Sequence, residues 1–101
     1  MEDINVQELK SRMDNGENLN LIDVREPYEN EEFNIGGTLI PLATLPDKID
    51  ELGSLKDEEV IVYCRSGNRS RNAKLFFEEN GFTKVRNLLG GMLAWQEQAG
   101  R

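Results

Sequence analysis

The chain contains no histidine, and its only cysteine is Cys64. Without histidine there is no Cys–His pair in which an imidazole takes a thiol's proton, so proteolysis of that kind is excluded. One cysteine and no histidine leave no usual zinc or iron–sulfur ligand set, and no metal is expected. An internal disulfide and a Cys-x-x-Cys dithiol are both impossible, which fits a reducing, cytoplasmic setting. Long hydrophobic runs are missing as well. No stretch approaches the ~18 apolar residues of a membrane span, and residues 1–10 lack the apolar run of a signal peptide.

Repeats, low-complexity stretches and Pro/Ser-rich linkers are also absent, so the 101 residues read as one domain spanning 1–101. Twelve basic against nineteen acidic residues give a net charge of −7. An acidic surface repels nucleic acid and anionic membranes, and neither is expected as a partner. The hydrophobic fraction is only 38%. Its residues are concentrated at 19–24, 39–45, 60–64 and 73–77, which is enough for a core.

Apolar runs alternate with helix-like segments along the chain, the rhythm of a parallel α/β sheet. Ile4 and Val6 are compatible with a short first strand. Asn5 and Glu8 have capping-box spacing, and Val6, Leu9 and Met13 share a helical face that Asn15-Gly16 ends. Leu19–Val24 reads as a strand, and Glu26–Phe33 as a short helix with Pro27 in its first turn. Thr38–Ile40 is a short strand stopped by Pro41, and Pro46–Leu52 a helix capped by Gly53. Val60–Tyr63 is a continuous β-branched and aromatic run, as in a central strand buried on both faces. Ala73, Phe76 and Phe77 mark the next helix, which Gly81 closes. Val85–Leu88 forms the last strand, and Gly90-Gly91 introduces a final helix carrying Trp95. The expected fold is a three-layer α/β/α domain with a central, mainly parallel five-stranded sheet.

Cys64-Arg65-Ser66-Gly67-Asn68-Arg69-Ser70 lies directly between the most hydrophobic strand and a helix. Ligands of open α/β sheets bind outside the carboxyl ends of the strands. A tight loop feeding a helix N-terminus points amides inward, Gly67 permits the curvature, and the helix dipole adds to the field. Arg65, Arg69 and Arg71 place three positive charges in an otherwise acidic chain. Each contribution favours thiolate over thiol. Packing alone could put a small hydrophobe at a strand end. It does not require glycine, asparagine and three arginines directly afterwards. Cys64 therefore reads as a nucleophile activated by electrostatics, whose covalent intermediate an outside molecule resolves.

These motifs resemble the rhodanese-like family, in particular its small single-domain sulfurtransferases. Asp23-Val24-Arg25-Glu26-Pro27 is similar to the first family signature. Phe33-Asn34-Ile35-Gly36-Gly37 followed by Ile40-Pro41-Leu42 is similar to the second. Tyr63–Ser70 resembles the active-site loop, and Asn87-Leu88-Leu89-Gly90-Gly91 with Ala94-Trp95 the closing motif. Asn34 stands where the family often has histidine, and the stretch from Gly37 to Pro41 is one residue short.

The resemblance implies that Cys64 takes a sulfane sulfur from a donor such as thiosulfate or a persulfide, holds it as a persulfide, and passes it to cyanide or a thiol. It implies that loop amides from Arg65 to Ser70 stabilise the anionic sulfur and that Arg65 and Arg69 bind the donor's oxygens. No cofactor is needed beyond the covalent persulfide. The expected partners are a small sulfur-donor anion and a thiol, cyanide or protein acceptor, with the chain as a monomer. Within the family a six-residue loop suits sulfur and a seven-residue loop phosphate; Cys64 to Arg69 is six. Phosphatase or arsenate reductase chemistry, or a non-catalytic binding module, are the alternatives.

Asp23 and Arg25 stand at a strand end on the Cys64 side of the sheet. They are either an ion pair that shapes the site or an exposed pair of little consequence. Trp95 reads as core and Gly90-Gly91 as a point of close chain approach. Glu29–Glu32 reads as a solvated helix face, and Asp57-Glu58-Glu59 as an acidic turn.

Overall fold

The computed structural model describes residues 1–99. The chain runs α1 (Val6–Asp14), β1 (Asn20–Asp23), α2 (Pro27–Glu32), β2 (Thr38–Leu39), α3 (Leu45–Lys48), β3 (Val60–Tyr63), α4 (Asn68–Glu79), β4 (Val85–Asn87) and α5 (Gly91–Gln98). Short 3₁₀ segments, Leu42–Thr44 and Ile49–Leu55, flank α3. The four strands are all parallel, in the order β2-β1-β3-β4.

The sheet thus has four strands among the described residues, not the expected five. Ile4 makes only an isolated parallel bridge to Leu88. Asn5 accepts the Glu8 amide at 2.8 Å and starts α1 at Val6, leaving no residues to extend a strand. The reciprocal half of that capping box is not made, because the Glu8 carboxylate pairs with Arg86 at 2.7 and 3.0 Å. The helix expected over Pro46–Leu52 is divided. An α-helical turn ends at Lys48 and the chain continues as 3₁₀ through Gly53 to Leu55, so Gly53 caps nothing.

Side-chain alternation on β3 builds the core on both faces of the sheet. Val60, Val62 and Cys64 face one cluster with Ala73 and Phe77 of α4 and with Leu45 and Ile49. Ile61 and Tyr63 face the other, with Leu9 of α1 and Met92 and Trp95 of α5. Helices on both faces give the three layers, and Trp95 is in the core as expected. Asp57-Glu58-Glu59 is only partly a solvated turn, because Glu59 pairs with Arg12 at 2.8 Å and Arg86 at 3.1 Å and ties α1 to the sheet.

The same parity that buries Val60 and Val62 carries Cys64, the next residue in phase, to the α4 face. The strand thereby aims the thiol at the N-terminus of α4. The start of α5 closes the other side: the Met92 amide donates to the Cys64 carbonyl at 2.9 Å and the Leu93 amide to that of Arg65 at 3.0 Å. Gly91 makes this approach possible. Its φ is +54°, and a methyl group there would overlap the Cys64 carbonyl oxygen and lie 2.7 Å from the Arg65 carbonyl. Gly91→Ala is therefore expected to lower stability by about 1–3 kcal/mol through overpacking and backbone strain. It should also slow thiol alkylation at Cys64; a melting curve and an alkylation time course check both.

Candidate active site around Cys64

Cys64 is 1% exposed. Water is largely kept from the sulfur, so any charge on it must be met by fixed donors. The Gly67 amide lies 3.1 Å from Sγ, the Ser70 amide 3.4 Å and the Ser70 hydroxyl 3.3 Å. Gly67 adopts φ +104°, the left-handed turn that wraps the loop round the sulfur before α4 begins. Burial, the largest influence, pushes the thiol pKa up. The Ser70 hydroxyl and the amides of Ser70, Gly67 and Ser66 together outweigh it and hold the thiol below its ordinary value.

Asn87, which the sequence reading did not single out, fixes this cradle. Its Oδ1 lies 2.5 Å from the Ser70 hydroxyl, and its Nδ2 donates to the Gly67 carbonyl at 3.1 Å. The hydroxyl has one hydrogen for two acceptors. It can donate to Asn87 while Cys64 is a thiol and to Sγ once the sulfur is anionic. The available signal was an asparagine near the end of the last predicted strand, shortly before the Gly90-Gly91 turn.

The arginines separate. Arg69 is committed to Glu29 by a two-pronged pair, Nη1–Oε1 at 2.7 Å and Nη2–Oε2 at 2.8 Å. Glu29 is 9% exposed, so it does not belong to a solvated helix face. Its Oε1 also accepts the Glu26 amide at 3.0 Å, which anchors the start of α2. The Arg69 guanidinium holds the Glu29 carboxyl down at about 2. The clue was the three-residue spacing from Glu26 to Glu29. Arg65 and Arg71 are exposed, and their side chains form no hydrogen bond or ion pair among the described residues. Of the loop residues expected to serve the sulfur, Ser66, Gly67 and Ser70 turn amides to Sγ, whereas Arg65, Asn68 and Arg69 make no hydrogen bond to it.

Asp23 and Arg25 form a buried ion pair, 0% and 4% exposed, and the reading as an exposed pair does not hold. Arg25 donates to Asp23 through its amide at 3.0 Å, Nε at 2.9 Å and Nη2 at 2.8 Å. Nη2 reaches the Phe33 carbonyl at 2.6 Å, Asn30 completes the Asp23 carboxylate at 2.9 Å, and the guanidinium lies 5.8 Å from the centroid of the Tyr63 ring. The pair thus staples the α2 segment onto the end of β1. Asn34, in the histidine's place, accepts the Gly36 amide and donates to the Asn30 carbonyl, each at 2.9 Å, and so holds its own turn.

Ser70→Ala removes one donor and leaves burial unopposed by it. The pH midpoint of Cys64 alkylation by iodoacetamide should rise, by about one to two units, since a lost hydrogen bond to a charged group is worth roughly 1.5–3 kcal/mol when nothing replaces it. Glu29 has a folded-state pKa far below its ordinary 4.5. Its pair with Arg69 therefore contributes fully above about pH 4.5, and the contribution is lost as pH falls toward 2. In Glu29→Gln that acid-dependent part of the stability, read by urea unfolding at stepped pH, should disappear.

The family profile described as Rhodanese-like domain matches residues 5–98. A sulfurtransferase of Allochromatium vinosum is 35% identical, over 92% of this chain and 86% of its own length. The putative sulfurtransferase YtwF of Bacillus subtilis is 39% identical, over 95% and 91%. The human single-domain sulfurtransferase TSTD1 superposes with a TM-score of 0.81 at 25% identity, over 95% of this chain and 96% of that one. With a parallel sheet that delivers one cysteine to a loop of inward amides, and a family match over nearly its whole length, this chain belongs to the rhodanese-like family of sulfurtransferases.

Proposed function

We propose that Cys64 carries sulfur as a persulfide, taking a sulfane sulfur from a small anionic donor, thiosulfate or a persulfide, and passing it to a thiol or cyanide. The observation that carries this reading is a buried Sγ met by the Gly67 and Ser70 amides and the Ser70 hydroxyl.

The Cys64 thiolate attacks the outer sulfur of the donor. An Sγ–S bond forms as the donor's S–S bond breaks, and the electron pair leaves with sulfite, or with a thiolate when the donor is a persulfide. The negative charge then moves to the outer sulfur, farther along the loop. Asn68 and Arg69 begin α4, and their amides have no intrahelical acceptor. Those groups and the helix dipole are placed to hold the outer sulfur anion. In the second half, cyanide or an acceptor thiolate attacks that outer sulfur. Thiocyanate or a new persulfide forms, and the electron pair of the S–S bond returns to Sγ. With no histidine and no second cysteine in the chain, the persulfide is discharged only by an external acceptor. A protein thiol is chemically equivalent to a small one in this step.

Asp23 and Arg25 act here as positioning residues. Their buried pair fixes the α2 segment and, through it, Glu29 beneath the loop.

Incubation with thiosulfate or a persulfide donor should add one sulfur atom to the protein in intact-mass analysis. Cyanide should remove it as thiocyanate, and Cys64→Ser should show neither step. Absence of any adduct with every sulfane donor tried would overturn the proposal.

A further inference from the structure

A cleft of about 300 Å³, at the small end of ligand pockets, borders the catalytic loop. Its apolar wall includes Tyr28, Phe33, Met92 and Leu93, of which Tyr28 and Leu93 are 65% and 45% exposed. Four ionisable groups besides Tyr28 line it: Arg25, Glu29, Glu32 and Arg65. Arg25 is spent on Asp23, and Glu29 on Arg69. Arg65 and Glu32 are exposed and have no ion-pair partner among the described residues, so the unpaired charges of the cleft sum to zero. Arg71 lines a separate groove, with Ser66, Asn68 and Asn87.

Thiosulfate, thiosulfonates and persulfide anions each present one negative charge that the loop amides can meet as the sulfur is transferred. Thiosulfate brings a second, on its sulfonate oxygens. Such a dianion needs a further unpaired cation beyond Arg65, whose charge Glu32 offsets, and Arg69, four residues along the loop, is already neutralised by Glu29. It would also meet the unpaired Glu32, whose like charge opposes it. A donor with a single charge on an apolar carrier avoids both penalties and covers the exposed side chains of the wall.

We propose that the site selects monoanionic sulfane donors on apolar carriers, the class of alkyl or aryl thiosulfonates and persulfides, over dianionic thiosulfate, and that Glu29 sets this preference by withholding Arg69. The inference rests on the sulfur-transfer reading and narrows its donor. From a thiosulfonate the Cys64 thiolate takes the outer sulfur, the S–S bond breaks, and its electron pair leaves with the sulfinate. Because Glu29 stays ionised down to about pH 2, the selection holds across the neutral range.

Unreactive anions separate charge preference from donor reactivity. Benzenesulfonate and sulfate are titrated as protectants of Cys64 against iodoacetamide, in the full chain and in Glu29→Gln and Glu32→Gln. In the unaltered protein benzenesulfonate should protect at concentrations about tenfold below sulfate, the scale of one uncompensated charge at a partly exposed site. Each variant should narrow that ratio, Glu29→Gln the more because it frees Arg69. Equal protection by the two anions in the unaltered protein overturns the proposal. So does an unchanged ratio in Glu29→Gln that melts cooperatively. If Glu29→Gln does not fold, an unchanged ratio in Glu32→Gln, whose side chain is exposed, overturns it instead. Loading of Cys64 by benzenethiosulfonate, read by intact mass, tests the underlying chemistry separately. Selective protection without loading by any donor would refute sulfur transfer while leaving the charge selection standing.

Discussion

A sulfur that water barely reaches can hold negative charge only if the protein replaces the water. Desolvation is the largest single influence on Cys64, and it opposes ionisation. The surrounding arrangement can be understood as the means of overcoming it. Donors must sit within about 3.5 Å of Sγ, and a free chain would not keep them there against their own entropy. The left-handed Gly67 turns one amide inward, the first turn of α4 supplies another, and Ser70 adds a hydroxyl. Asn87, one strand over, fixes both the hydroxyl and the loop carbonyl. The amides of α5 hold the carbonyls of Cys64 and Arg65 from the other side. Three separate segments thus converge on one loop, and none of them needs a titrating base.

Charge in the loop follows a different logic from the one its arginine content implies. Three arginines in seven residues look like an anion trap. Arg69, however, is part of the scaffold. Its fork locks onto Glu29, and Glu29 in turn caps α2, so the loop and the neighbouring helix are held in one register. A pair so placed contributes geometry at the cost of field. What remains to attract an anion is the set of amides, the helix dipole and the exposed Arg65. This explains how an acidic protein can keep an anion-facing nucleophile without accumulating positive charge around it.

Much of this was legible in the sequence, for reasons that can be traced. Val60–Tyr63 reads as a central strand because four consecutive apolar, β-favouring residues fit little else, and strand parity then fixes the face to which Cys64 points. The loop was legible because glycine and arginines directly after a buried strand are costly unless used. Other features were hidden by locality. Ile4 has the composition of a strand residue, but whether it pairs over one residue or several depends on where α1 starts, and Asn5 starts it at once. Glu29 looks like Glu31 and Glu32. Only the phase of a six-residue helix distinguishes the one that turns inward, and its partner lies forty residues away. Asn87 follows another polar residue, Arg86, in a short strand, and nothing local names Ser70 as its reason.

The features hardest to read are the ones that decide the chemistry. Val60–Tyr63 would bury its side chains in many α/β proteins, and a cysteine at its end would still be only a small hydrophobe. The distinction comes from polar contacts around the site, Ser70 with Asn87 and Arg69 with Glu29 across the chain and Arg25 with Asp23 locally. The first fixes a hydroxyl whose misplacement by about 1 Å would take it out of hydrogen-bonding range of Sγ, and the other two fix the loop and the α2 segment beside it. Apolar patterning builds the sheet and brings the cysteine to its edge. The buried polar pairs hold the loop in the one shape in which that cysteine can ionise.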